Sequence, residues 1–307
     1  MGELDVVTGA FGFTGKYIAG RLLKLGRRVR TLTGHPNRPN PFGAAVEVAP
    51  LNFADPAGLV KGLSGADTLY YTYWIRFPYR GVTFADAVAN SRRLFAAARE
   101  AGVRRVVHIS IVNPSPDSPL PYFRGKAQVE EALMATGLPY AVVRPTVIFG
   151  PEDILFNNIA WMLRRFPVFA IPGAGDYRLQ PVFVDDVARI AVEAGRGEAN
   201  LIVEAAGPEI YTFKELVSLI ARKVGSRARL LHVPPGVALL LAGLIGRLVG
   251  DVVLTRDELS GLMGNLLVAA GPATGEVRFS RWLGENAHRV GLAYASEVRR
   301  HYAPAGV

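Results

Sequence analysis

Cysteine is absent from the 307 residues, which excludes disulfides, thiolate metal sites and a cysteine nucleophile. Histidine is scarce. The five residues His35, His108, His232, His288 and His301 show no HxxxH or other ligand spacing, so no metal is expected. No apolar run is long enough to span a bilayer. The longest, Val237 to Gly246, follows Pro234-Pro235 and is closed by Arg247 and Asp251, short of the roughly 20 residues a crossing needs. We expect it to be a helix buried in a small domain or at a dimer interface, with a helix lying on a membrane surface as the alternative. The chain also lacks a long basic run. Its net charge of +9 comes from Lys and Arg placed singly or in pairs, which reads as solvated surface and argues against a nucleic-acid partner. Attraction to anionic ligands or peripheral membrane contact stays open. Glu3 and Asp5 interrupt the start, so no signal peptide is read and the expected location is cytoplasmic.

With 50% hydrophobic and 20% charged residues, the chain can bury a large core. Strand patterns at Arg28 to Thr33, Val46 to Ala49, Thr68 to Thr72, Arg104 to Ser110 and Tyr140 to Arg144 alternate with helical patterns near 56–63, 84–101 and 124–136. Such alternation predicts an α/β fold, a Rossmann-like doubly wound parallel sheet with ligands at the carboxyl ends of the strands. Gly9, Thr33, Thr72, Ser110 and Arg144 should gather there. We expect residues 1–150 to form the dinucleotide-binding domain, with 178–204 returning to it. Residues 151–177 and 205–307 are expected to form a smaller, mostly helical substrate cap.

The strand Leu4 to Thr8 runs directly into Gly9-Ala10-Phe11-Gly12-Phe13-Thr14-Gly15 and then into an amphipathic helix. Gly9 suits a sharp turn, Gly12 a close approach of backbone to a pyrophosphate, and Gly15 tight packing of helix on sheet, while the helix start offers N–H groups to the anion. An NAD(P) site is expected, with Phe13 and Thr14 beside the glycines.

Tyr122 and Lys126 lie one helical turn apart and share a face. Acting near pH 7 asks a tyrosine for a shift of about three units, or roughly 4 kcal/mol. A lysine ammonium at about 4 Å and an effective dielectric of about 20 contributes a similar amount.

Several motifs in order resemble the extended or atypical short-chain dehydrogenase/reductase superfamily. Thr8 to Gly15 matches TGxxGxxG, Asn90 falls on a helix where the family carries Asn, and Tyr122-x-x-x-Lys126 matches YxxxK. Arg144 to Pro151 matches RPxxxxGP, and Val182 to Ala188 matches VxVxDVA. The likeness extends to about residue 215 and is greatest to the NmrA-like and complex I accessory-subunit-like branch, some of whose members are enzymes while others only bind a dinucleotide. It implies Tyr122 as proton donor or acceptor, Lys126 on the nicotinamide ribose, Asn90 in the catalytic set, and the backbone after Pro145, at Val147 and Ile148, against the carboxamide. The family's catalytic hydroxyl falls near Ser110, one or two residues early, with Ser115 and Asn113 as substitutes. The implied activity is an NAD(P)-dependent oxidoreductase or epimerase/dehydratase-like reaction. The alternative is a non-catalytic NAD(P)H-binding sensor or assembly protein.

The segment Thr31 to Arg38 carries no acid for a ribose hydroxyl and offers Gly34, His35 and Arg38, so NADP(H) is expected over NAD(H). Asn52, followed by Phe53, stands where the family commonly reads adenine with Asp. Thr72 closes the list of cofactor candidates, and Tyr73 and Trp74 suit the wall of a small-molecule substrate site. The chain is expected to be a monomer or a homodimer.

Overall fold

The structure, a computed structural model, describes residues 3–302, and the side chain of His301 lies outside that description. The described residues fall into two compact units: 3–145 with 184–205, and 146–183 with 206–302.

The first unit begins β1 (Leu4–Thr8), α1 (Phe13–Lys24), β2 (Arg28–Thr33), β3 (Val46–Pro50) and α2 (Pro56–Leu63). It continues β4 (Ala66–Tyr71), α3 (Phe84–Glu100), β5 (Arg105–Ile109), α4 (Pro121–Met134) and β6 (Tyr140–Pro145). The chain then contributes β7 (Val147–Phe149), α5 (Leu155–Arg165), β8 (Val168–Pro172), β9 (Arg178–Leu179) and β10 (Pro181–Phe183) to the second unit. It returns for α6 (Val184–Arg196) and β11 (Leu201–Ala205).

The first unit is a seven-stranded sheet in the order β11-β6-β5-β4-β1-β2-β3, with every pair parallel. Strand order reverses beside β1, so the crevice at its carboxyl end is the switch point at which doubly wound sheets bind ligands. All five residues of β1 and of β5 are buried, as expected for strands covered on both faces. Strands β1 to β6 start and stop within two residues of the expected ranges. Arg105 is fully buried, and its guanidinium donates to the carbonyls of Ala194, Glu198 and Ala199 at 2.9, 3.2 and 2.7 Å. It thereby caps the Ala194 carbonyl in the last turn of α6 and ties down the loop that follows.

The second unit continues with β12 (Tyr211–Thr212), α7 (Phe213–Lys223), β13 (Arg229–Val233) and α8 (Pro235–Val249). It closes with α9 (Arg256–Met263), α10 (Phe279–Asn286) and α11 (Glu297–His301). Its core joins Phe149, Phe156, Phe213, Phe279 and Trp282. Three two-stranded ladders, β10-β7, β12-β9 and β13-β8, accompany the helices. These short strands and α10 differ from the helical cap expected, because segments of two to five residues carry too little periodicity to read. The unit boundaries differ too: 146–150 and 178–183 belong to this unit, since β7 pairs with β10 rather than extending β6.

The expectation that the Val237 to Gly246 helix is buried inside a small domain is corrected. Helix α8 forms, but Val237, Leu240, Leu241, Leu244 and Leu248 are exposed, and the buried positions are Ala238, Ala242 and Gly246. Small residues there allow close packing; a Cβ at Gly246 would stand 2.6 Å from the Asp251 carbonyl oxygen.

Candidate functional site

At the carboxyl end of β1 the backbone turns at Gly9, whose φ of 67° favours glycine. The Gly9 N–H donates to the Leu32 carbonyl at 2.9 Å, and Gly12 N–H returns to the Gly9 carbonyl at 2.8 Å. A Cβ at Gly15 would collide with the Gly9 carbonyl oxygen and lie 2.9 Å from its carbon, so helix α1 sits directly on the turn only with glycine there. Gly12 is the N-cap of α1, no side chain caps the helix, and its first turn holds no acid. An anion is therefore favoured at this end by dipole and N–H groups alike. Thr72, just past β4, ties its hydroxyl to the Thr8 carbonyl, while its N–H donates to Thr8 Oγ1 at 2.7 Å. This bracing joins β1 and β4 at the switch point.

Beyond β2, the Thr33 hydroxyl accepts from the His35 N–H at 3.0 Å and the Arg38 N–H donates to the His35 carbonyl at 3.1 Å. The turn places half-buried His35 and Arg38 beside exposed Gly34 at the strand's carboxyl end. Asn52 is exposed, and its Oδ1 accepts from the Ala54 N–H at 3.0 Å. Phe53 packs on Tyr73 with ring centres 4.8 Å apart, and the Tyr73 hydroxyl accepts from the Asn90 amide at 3.2 Å. Asn90 also accepts from Arg93 at 3.1 Å. Asn90 thus joins the Phe53–Tyr73 group.

Trp74 does approach the Tyr-Lys helix. Its indole lies edge-on to the Tyr122 ring at 5.9 Å and stacks on Phe84 at 5.8 Å. The Lys126 ammonium stands over the indole, 4.8 Å from the ring centre. A Cβ at Gly125 would come 2.9 Å from the indole, so glycine between the two residues lets the ring in. Lys126 is buried and donates to the Ile109 carbonyl at 2.9 Å. Burial lowers its pKa from the usual 10.5 to about 7, against the opposing pull of Glu130. Such a group exchanges a proton near neutrality.

Ser110 follows β5 and is buried, and its hydroxyl donates to Glu130 at 2.5 Å. Arg144, on β6, grips the same carboxylate at 3.0 and 2.5 Å. Glu130 lies one helical turn past Lys126, so α4 lines up Tyr122, Lys126 and Glu130 on one face. Sequence reasoning missed Glu130; its i+4 spacing from Lys126 was the available signal. His108 is fully buried in β5, and burial together with Lys126 holds its imidazole neutral, well below the ordinary range. Asn113 is exposed with φ 54°, and the Ser115 hydroxyl accepts from the Asp117 N–H at 3.3 Å. Pro145 ends β6, whereas Val147 and Ile148 lie in β7 of the second unit. Among the described residues no group of His, Asp and Glu could hold a metal. No helix among them is long and apolar enough to cross a membrane.

Residues 3–254 match the family model described as NmrA-like family. The chain is 31% identical over 232 residues to a (4-alkanoyl-5-oxo-2,5-dihydrofuran-3-yl)methyl phosphate reductase of Streptomyces griseus, covering 73% of this chain and 75% of the relative. It is 26% identical over 288 residues to the mitochondrial NADH dehydrogenase [ubiquinone] 1 alpha subcomplex subunit 9 of Arabidopsis thaliana, covering 87% and 71%. Among solved structures it resembles the UDP-glucose 4-epimerase of Thermotoga maritima with UDP-glucose, at a TM-score of 0.70 and 17% identity over 93% of this chain and 98% of that one. MoeE5 in complex with UDP-glucose and NAD superimposes with a TM-score of 0.69 at 21% identity, over 94% and 98%.

Proposed function

The chain belongs to the NmrA-like family, and we propose that it is an NAD(P)-dependent oxidoreductase that binds its cofactor across the carboxyl ends of β1, β2 and β4. The observation that carries this reading is the glycine turn: Gly9 in the left-handed region, Gly15 against Gly9, and an α1 start with neither cap nor acid. That turn, with the uncapped N–H groups of α1 beside it, fits a pyrophosphate. His35 and Arg38 are the partners proposed for a 2′-phosphate, favouring NADP(H), and Asn52 and Phe53 flank the adenine side. Thr72 braces the crevice floor. Pro145, at the end of β6, completes the proposed contacts within the first unit.

A nicotinamide bound there would supply the hydride. Tyr122 delivers the proton to the oxygen of the carbonyl being reduced, giving the alcohol, or takes it back in the reverse direction. Lys126 would hold the nicotinamide ribose, and its ammonium form favours the Tyr122 phenolate. Trp74 and Tyr73 form the wall for a small-molecule substrate. The compartment in this proposal is the cytoplasm, against plant and fungal relatives whose names carry a mitochondrial address. The test is Tyr122→Phe, offered first the butenolide phosphate of the Streptomyces relative and then a carbonyl panel. The variant should keep cofactor affinity and lose at least about a hundredfold in turnover. Equal turnover removes Tyr122 from the mechanism.

A second reading, a dinucleotide-binding sensor or assembly protein, is favoured by the Ser110 hydroxyl, which is committed to Glu130 instead of a carbonyl. Cofactor binding with no turnover on any carbonyl offered supports that reading.

A further inference from the structure

Helix α8 presents its larger apolar side chains outward. Val237, Leu240, Leu241, Leu244 and Leu248 fall within about a 100° arc on a helical projection, and Leu240 and Leu248 are 65% and 75% exposed. The opposite face, Ala238, Ala242 and Gly246, is the buried one. The interior therefore takes the small residues, and the leucines are left for another apolar phase.

The chain leading into and along this face carries cations only, up to Asp251 just past the helix. From Leu216 to Gly250 the chain holds no Asp or Glu, and it carries Arg222, Lys223, Arg227, Arg229 and Arg247. All five cations are exposed, and none has an ion-pair partner among the described residues. Arg247 sits on α8 at the flank of the leucine stripe, while the other four lead into it along α7 and β13. Val168 and Leu231, on the β8-β13 ladder against which α8 packs, are exposed as well.

We propose that α8 is a membrane-surface helix, its leucine face entering the boundary between headgroups and acyl chains of an anionic bilayer while the neighbouring arginines and lysine engage lipid phosphates. A helix lying in the interface plane needs an apolar face and flanking cations, and both are present. A second copy of the chain fits less well. The exposed face amounts to roughly 500 Å², below the about 800 Å² per partner of a stable dimer, and pairing two copies would bring the same five cations together. A bilayer has no such area limit and carries the opposite charge.

The absence of cysteine makes the test clean, because Leu244→Cys takes a single environment-sensitive fluorophore in the 307-residue chain. A matching label at Ala57→Cys, exposed on α2 of the first unit, serves as control. Vesicles of phosphatidylcholine with phosphatidylglycerol should blue-shift the label at 244 and leave the label at 57 unchanged. Neutral vesicles should bind at least about tenfold more weakly, and about 0.5 M salt should reverse much of the anionic binding. In co-sedimentation, Leu240→Gln/Leu244→Gln/Leu248→Gln should lose roughly tenfold or more in vesicle affinity while melting like the wild type. The proposal fails if wild type does not sediment with anionic vesicles, or if the triple variant sediments equally well. A blue shift that grows with protein concentration without lipid would assign the face to a second copy and overturn the lipid reading.

Discussion

The Lys126 ammonium lies 4.8 Å from the centre of the Trp74 indole and donates its hydrogen bond to the Ile109 carbonyl. An aromatic plate on one side and a strand-end carbonyl on the other keep the amine dry, and that burial brings its pKa down to about 7. Trp74→Ala admits water to the amine and should raise the Lys126 pKa by at least one unit, toward 10.5. The carbon-13 shift of Lys126 Cε followed against pH reads this directly, and the chain's six lysines make assignment practical. An unchanged midpoint would show that Trp74 does not set the environment of the amine. The cavity should also lower stability by about 2–4 kcal/mol.

Lys126 gives stability a pH dependence of known sign. Between pH 7 and 10.5 the unfolded chain keeps a proton that the folded chain has released, so unfolding free energy rises with pH across that window. Below pH 7 both states hold the proton and the burial penalty is complete. Lys126→Met should therefore stabilise the fold by about 2–4 kcal/mol below pH 7, net of the lost Ile109 bond, with the gain fading toward pH 10.5. Denaturant unfolding at pH 6, 8 and 10 measures it; a gain that grows with pH contradicts the assignment.

Gly15 admits no side chain, because the atoms a Cβ would meet are Gly9 and Ala10 backbone. Gly15→Ala must push α1 off the turn and should lose about 2–4 kcal/mol. Gly26→Ala, with open space around it but φ 73°, should lose only about 1 kcal/mol. Equal losses in thermal melts would mean that helix-to-turn packing is not what glycine provides at position 15.

Glu130 answers both Ser110 and Arg144 inside the fold. Glu130→Met alone leaves a half-buried guanidinium unmatched and should lose about 3 kcal/mol or more, whereas Glu130→Met with Arg144→Met should recover much of it. Additive losses in the double variant would place the carboxylate's role elsewhere.

The glycine turn was legible because its requirements are local: a strand, three glycines and a helix start fix the backbone over Leu4 to Lys24. The parallel sheet followed from alternation of apolar strands and helices. Side-chain pairings between distant elements were not legible. Nothing near Ser110 in sequence says that its hydroxyl meets Glu130, twenty residues on, and nothing near Trp74 says that its indole slides over Gly125 to cover Lys126. Helix α8 was visible as a helix, but hydropathy alone did not tell which face turns inward. The four-residue spacing of Ala238, Ala242 and Gly246 held that information.

The proposed function requires an anionic dinucleotide on the start of α1. Thr14→Glu separates this requirement from stability, because an acid in the first turn of a helix favours the helix dipole yet repels a pyrophosphate. Calorimetric titration with NADPH and NADH, on wild type and Thr14→Glu, tests it most directly. Wild type should bind, and Thr14→Glu should bind at least about tenfold more weakly with a melting temperature no lower. Absence of binding by wild type, or equal binding by a Thr14→Glu variant that melts normally, would contradict it.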